Sequence, residues 1–189
     1  MPRVVDPVER RDEVAQAVWR VIRRDGLAEA SVRNVAREAG LSMGSLRHYF
    51  ASQSELLAFT LRTVIERIDT RIAALETGGD PRERAERVLA EVLPLDPERR
   101  AENEVWLAFT AQSMVDPSLR SVRDEGHRAL RAGCREIVST LTEKQEYEAE
   151  RLHALVDGLA VHAAVRPDET TPEVMRAVIA RHLDELARR

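Results

Sequence analysis

Residues Ala30 to Phe50 read ASVRNVAREAGLSMGSLRHYF, a pattern that predicts two short helices joined by a tight turn. Ser31 is placed to cap the first helix, with Asn34 three residues on, so its free N–H groups find local acceptors. Val35, Ala36 and Ala39 give that helix an inner face. Gly40 falls where the chain must leave the helix with a positive φ, which glycine adopts without steric cost. Leu41 points back inward and Ser42 caps the second helix. Leu46, Tyr49 and Phe50 are spaced to anchor that helix along one side.

The opposite side of the second helix carries Met43, Gly44, Arg47 and His48, with Ser45 beside them. A glycine inside a helix costs about 1 kcal/mol relative to alanine. Its presence fits a backbone that must come close to something large. Small, cationic and donor groups turned outward suit insertion into a DNA major groove. Ala36 fits the same picture, because the helices of a helix-turn-helix cross closely and a bulky residue there would part them. The plainer reading is a helix pair packed in a core, and the outward grouping of Gly44, Arg47 and His48 argues against it.

The rest of the composition points to helices. The 189 residues are enough for a real core in one or two domains. Hydrophobic residues make up 43% but aromatics only 4%, which fits aliphatic helix packing better than a β-sandwich. No period-two alternation stands out, so the expected fold is all-α with about nine helices. The net charge of −4 is not that of a general polyanion binder, and any nucleic-acid contact must come from a local patch. Lys144 is the single lysine. The arginine excess favours bidentate phosphate and guanine contacts, although codon bias in a GC-rich genome produces the same excess. Cys134 is the single cysteine, so no intramolecular disulfide can form. No apolar run approaches the ~20 residues of a membrane span, and the N-terminus lacks the apolar segment of a secretory signal. A bacterial cytosolic protein is expected.

Proline marks the helix starts. Asp6-Pro7, Asp80-Pro81, Asp96-Pro97 and Asp116-Pro117 each set a capping carboxylate before a proline suited to the first helical position, and Thr171-Pro172 does so with a hydroxyl. A first helix is expected from about Pro7 to Asp25, with Glu9 at its positive end and Trp19 against the start of the fourth helix. Ser52-Gln53-Ser54-Glu55 reads as a capping box opening a long fourth helix to about Leu75. Further helices are expected at about Pro81–Leu93, Pro97–Val115, Pro117–Leu141, Gln145–Val165 and Pro172–Ala187. Gly126 and Gly133 interrupt the seventh, for close packing or for a bend. A small domain over residues 1–55 and a larger one over 56–189 follow. The last two helices are apolar over more than one stripe, and no later element is left to cover them. Leu152, Val156, Ala160 and Ala163 with Val174 and Val178, and Arg181 beside them, are the expected contact with a second copy.

At this point the sequence meets a known pattern. Val35-Ala36, Ala39-Gly40-Leu41, Ser45-Leu46, Tyr49-Phe50 and Ser52 to Leu57 resemble the tetracycline-repressor (TetR) family of transcriptional regulators, over about Val14 to Ala58. Beyond that the likeness is architectural. The segment Trp106 to Met114, the run Leu155 to Leu159 and the Pro172 helix resemble the BetI-like subgroup. The resemblance implies a homodimer, paired through helices eight and nine, whose two heads grip a near-palindromic DNA operator and are released by a small-molecule effector. By position, Ser31, Arg33, Ser42, Met43, Gly44, Ser45, Arg47 and His48 would serve the groove, while Tyr49 and Gln53 at the fourth-helix start would hold phosphates. Two positions depart from the pattern: Gln53 stands where lysine is usual, and Arg47 where tyrosine is common. A phosphate contact has moved between them, or binding is weaker.

The resemblance also implies a ligand cavity, for which Trp106, Phe109, Met114, Leu130, Cys134, Leu155 and Leu159 are candidates; ordinary core packing explains the same residues. His153 and Asp157 share a helix face, a spacing compatible with a metal but more often that of a surface pair or an internal hydrogen bond. No metal and no cofactor are expected. The sequence has no P-loop, dinucleotide glycine pattern or nucleophile elbow, so an enzyme is not expected. The alternative to a DNA-binding regulator is a helical adaptor of the same fold that has lost DNA, which Gln53 leaves open.

Overall fold

The computed structural model describes residues 7–76, 78–143 and 147–188. Asp6, the side chain of Glu9, Lys144 and Gln145 lie outside the described residues. The described residues are helical without strands: α1 Pro7–Asp25, α2 Val32–Glu38, α3 Met43–Tyr49, α4 Gln53–Ala73, α5 Pro81–Val92, α6 Pro97–Val115, α7 Arg120–Leu141, α8 Glu148–Val165 and α9 Pro172–Ala187. Short 3-10 turns at Leu27–Glu29 and Pro117–Leu119 precede α2 and α7. The seventh helix thus starts later than the sequence indicates, because Asp116 accepts from the Ser118 N–H and closes a 3-10 turn first.

The capping residues act as their chemistry requires. Ser31, Ser42, Ser52, Asp80, Asp96 and Thr171 each accept a hydrogen bond from a backbone N–H in the first turn of the following helix. At Ser52 the return arm of the capping box is shifted by one residue, since the Glu55 carboxylate accepts from the N–H of Ala51 at 2.8 Å. Gly40 has φ +64°, and the N–H of Leu41 reaches back to the Ala36 carbonyl at 2.8 Å, which closes α2 as a glycine-terminated helix should.

Two hydrophobic clusters hold the chain. The first joins α1–α4 to α6 and the start of α7, so Leu46, Phe50 and Leu56 share a cluster with Val105, Phe109, Leu119 and Val122. Apolar packing therefore runs straight across residue 55 rather than breaking there. The second cluster is built from α5, α7, α8 and α9 around Leu89, Cys134, Leu152, Met175 and Leu183. Trp19 is buried, but its ring lies under the Arg67 guanidinium, 4.8 Å from the ring centroid. The cation over its indole face comes from the far half of α4 and adds attraction to the packing.

Three arginines and three glutamates tie α4 to α5 and α6. Arg71 donates to both carboxylate oxygens of Glu102, at 2.8 and 2.6 Å, and to Glu91 at 2.9 Å. Arg67 also reaches Glu102, and pairs with Glu98; Arg99 pairs with Glu91. Glu102 is buried, and a buried carboxylate needs such partners to remain charged. A further link joins the head to α7: the Ser54 hydroxyl donates to Asp116 at 2.7 Å.

Candidate nucleic-acid interface and interior cavity

The head is assembled from short pieces whose inner sides are fixed and whose outer sides are free. Leu46 is fully buried and Phe50 nearly so, which pins α3 at its middle and end. Ser42, Met43, Gly44, Ser45, Arg47 and His48 are all exposed on the other side. Ser42 and Ser45 share a hydroxyl hydrogen bond of 2.8 Å. Tyr49 is half-buried, and its ring meets that of His48 edge-on at 5.7 Å between centroids. Arg33 on α2 is exposed as well, and among the described residues neither Arg33 nor Arg47 is bonded to a carboxylate. Between Ser31 and Gln53 the chain carries Arg33, Arg37 and Arg47 against one carboxylate, Glu38. Glu38 is bonded to Arg20 and Arg24 of α1, at 2.7 and 2.9 Å, and these pairs hold its carboxyl below the ordinary range. The patch is therefore locally positive in a chain of net negative charge, which is the condition a polyanion contact requires.

Gly44 is not demanded by the fold. Its φ is helical, and a Cβ built on it would meet only the Ser42 hydroxyl, at 3.8 Å. The missing side chain leaves room outside the protein, not inside it.

Gln53 and Ser31 sit differently from the other expected contacts. The Gln53 side chain accepts from the Val32 N–H at 3.2 Å and donates to the Ala30 carbonyl at 3.0 Å. It braces the start of α4 against the start of α2. Ser31 is spent on the Asn34 N–H at 3.2 Å. These two position the head, and a residue at 53 able to satisfy two backbone groups explains glutamine where a cation was expected. Sequence spacing gives no signal of a pair separated by twenty-one residues.

The interior cavity lies between α4, α5, α6, α7 and α8, with a volume of about 160 Å³. Trp106, Leu130 and Cys134 line it, as expected. Phe109 does not: it is fully buried in the cluster under the head. Met114 is 67% exposed near the end of α6, and Leu155 and Leu159 pack in the second cluster without lining the cavity. The missed lining is chiefly the isoleucine stripe of α4, Ile65, Ile68 and Ile72. Its period marks it as buried, but not that it faces a hollow. Gly126 of α7 is a point of close packing. A Cβ there would lie 2.7 Å from Cζ3 of Trp106, so the indole lies directly on the α7 backbone. The Gly126 choice is thus close packing, while Gly133 has open space and lines the cavity. Burial, and then the charges of Asp157 and Glu150, push the Cys134 thiol up to about 12, so it stays protonated and unreactive.

The residues expected at a contact between copies are divided. Leu152, Val156 and Ala160 are buried within the protomer, the latter two on the cavity wall. They face their own chain because α8 turns this stripe toward α6 and α7. Ala163 and Val178 are half-buried on the second cluster. Val174 and Arg181 are exposed. The outward stripe of α8 is instead Ala154, Gly158, Val161 and Val165, where Val161 and Val165 are 41% and 65% exposed.

Comparison with known proteins decides the family. Residues 16–60 match the model for bacterial regulatory proteins of the tetR family, and residues 81–188 match the C-terminal domain of BetI-type transcriptional repressors. The chain belongs to the TetR family of transcriptional regulators. It is 39% identical to the HTH-type transcriptional regulator PksA of Bacillus subtilis, over 98% of this chain and 94% of that one. It is 30% identical to the regulator BetI of Yersinia pestis, over 98% of this chain and 96% of that one. A solved transcriptional regulator from Rhodococcus superposes with a TM-score of 0.82 at 32% identity, covering 94% of this chain and 96% of that one. One from Saccharomonospora viridis, solved in complex with choline, superposes at 0.81 with 25% identity over 94% and 96% of the two chains. The TetR head and BetI-type body make this chain a helix-turn-helix transcriptional regulator, a class of DNA-binding proteins. Among its described residues no helix is long and apolar enough to cross a membrane.

Proposed function

We propose that this TetR-family chain is a cytoplasmic homodimeric repressor whose two α3 helices enter successive major grooves of a near-palindromic operator. The observation that carries the reading is the outer face of α3: Ser45, Arg47 and His48 exposed, a glycine that its own fold does not need, and, among the described residues, no carboxylate holding Arg47. Met43 and Arg33 flank the base-reading groups, and Tyr49 supports a phosphate contact from its exposed edge. Residues 1–55 act as the head and 56–189 as the body. The second copy docks on the outward stripe Ala154, Gly158, Val161 and Val165 together with Val174, Ala177 and Arg181 of α9, a surface of small and β-branched groups at helical spacing.

The cavity takes a compact, mainly apolar organic effector. Its walls are aliphatic apart from Trp106 and a few polar groups, and the charge of Glu102 is already neutralised by Arg67 and Arg71. Occupying a space bounded by α4 and α6 acts on the same helices that pack under the head, through Val105, Phe109 and the Ser54–Asp116 hydrogen bond. That gives the effector a mechanical route to the spacing of the two α3 helices.

The test is a fluorescence-anisotropy titration on duplexes taken from the DNA upstream of the gene, across a salt series. Binding is expected to fall steeply with salt, and Arg47→Ala is expected to weaken it by about 1–3 kcal/mol. An unchanged affinity for Arg47→Ala removes that residue from the interface. Failure to retain any upstream duplex at low salt favours the adaptor reading.

A further inference from the structure

His127 of α7 and His153 and Asp157 of α8 bring their ligand atoms within 4.8 Å of one another, all half-buried, between two helices that pack side by side. We infer that they form a site for a divalent first-row transition-metal ion of the zinc type, which clamps α7 to α8 beside the cavity.

His153 Nε2 and Asp157 Oδ2, one helical turn apart, are 3.4 Å from each other. Zinc bonds of about 2.0–2.1 Å at tetrahedral angles put neighbouring ligand atoms about 3.3–3.4 Å apart, so this edge is already at coordination distance. The remaining gaps, at 4.8 Å or less, close by at most about 1.4 Å, within reach of a small side-chain rotation.

His153 Nε2 is buried and makes no hydrogen bond among the described residues. Its contact with Asp157 lacks hydrogen-bond geometry. Buried ring nitrogens normally find a partner, and a metal ion held jointly with Asp157 supplies one. His127 is fixed at the third corner by the Trp106 ring, which it meets edge-on at 4.9 Å between centroids, and faces the His153 ring at 6.0 Å.

The donor set then names the ion. Two imidazole nitrogens and one carboxylate suit Zn²⁺, Co²⁺ or Ni²⁺; Mg²⁺ and Ca²⁺ prefer all-oxygen sets. Three protein ligands leave a fourth position open. Asp157 also lines the interior cavity, so an ion here sits at the cavity wall. The inference concerns this site alone and holds whether or not the chain binds an operator.

The experiment is calorimetric titration of the tag-free, chelator-stripped full chain with Zn²⁺, with Co²⁺ followed in parallel by visible absorption. Wild type is expected to bind one ion per protomer, to show Co²⁺ ligand-field bands, and to give no response to Mg²⁺. At a hundredfold excess over Kd the melting temperature is expected to rise by about 5–10 °C. Asp157→Asn and His127→Gln are each expected to weaken Zn²⁺ binding by about tenfold or more, while Asp157→Asn without metal melts close to wild type. Should His127→Gln fail to fold, Asp157→Asn decides the matter. Zn²⁺ binding equal in wild type and Asp157→Asn, or no saturable binding at all, would overturn the site.

Discussion

Gly44→Ala separates the demands of the fold from those of DNA, because it is expected to move them in opposite directions. In the free protein the new methyl group has space: its nearest neighbour is the Ser42 hydroxyl at 3.8 Å, and the backbone there is helical. Alanine loses less backbone entropy on folding, a gain of about 0.5–1 kcal/mol. Gly44 is the second residue of a seven-residue helix, so the gain belongs at the low end, near 0.5 kcal/mol, equivalent to a rise of about 1–2 °C in melting temperature. On DNA the methyl group would intrude where the α3 backbone approaches the groove. Forcing a methyl into a close-packed contact costs about 1–3 kcal/mol, a loss of operator affinity of about 5- to 150-fold. Differential scanning calorimetry of the free chain and anisotropy titration on an operator duplex read the two effects separately. A lower melting temperature, or an operator affinity equal to wild type, would refute the argument that the glycine serves an external backbone approach.

Two further outcomes concern the interior and a third the paired surface carboxylates. Gly126→Ala sets a methyl 2.7 Å from Trp106 Cζ3 and is expected to destabilise the chain by about 1–3 kcal/mol; an unchanged urea midpoint would show that the indole moves aside freely. Cys134, whose thiol burial holds protonated, is expected to react with a disulfide reagent at pH 8 far more slowly in the native chain than in guanidinium. Native labelling as fast as that of the denatured chain would place it outside the interior. The carboxyls of Glu38, bonded to Arg20 and Arg24, of Asp116, bonded to Ser118 and Ser54, and of Glu150, bonded to Arg131, lie below their ordinary values of 4.5, 3.8 and 4.5. In the window between folded and ordinary values the unfolded chain binds more protons, so stability rises with pH there. Urea midpoints are expected to hold level from pH 7 to 5 and to fall below about pH 4; a midpoint that rises on acidification would reverse the sign.

The helices were legible because their start and stop signals are local. A capping hydroxyl or carboxylate, a proline at the first turn and Gly40 after α2 each act within four residues, and the chain follows them. The two-helix head was legible for a related reason: Ala36, Gly40, Leu46 and Tyr49 encode one compact arrangement of two helices, while the family came from resemblance to a known pattern. What spacing could not tell was which of two apolar arcs on α8 faces inward. Leu152, Val156 and Ala160 are the larger stripe and fill the protomer's own core, while the smaller Ala154, Val161 and Val165 remain outside. Long-range polar pairing was equally hidden. Gln53 reads as a surface amide until Ala30 and Val32 arrive beside it, and His127 stands alone until α8 delivers His153 and Asp157. A cavity is a place where packing stops, and no residue in a single sequence announces that.

Site-directed crosslinking shows which face of the protein lies on DNA. A Ser45→Cys chain carrying a photoactivatable group is compared with a Glu169→Cys chain labelled in the α8–α9 loop, both on an operator duplex; Cys134 is buried and adds little background. Adducts are expected from position 45 only, at two places in the duplex separated by about 10 base pairs or a multiple of that. Adducts of equal yield from position 169, or none from position 45, would contradict it.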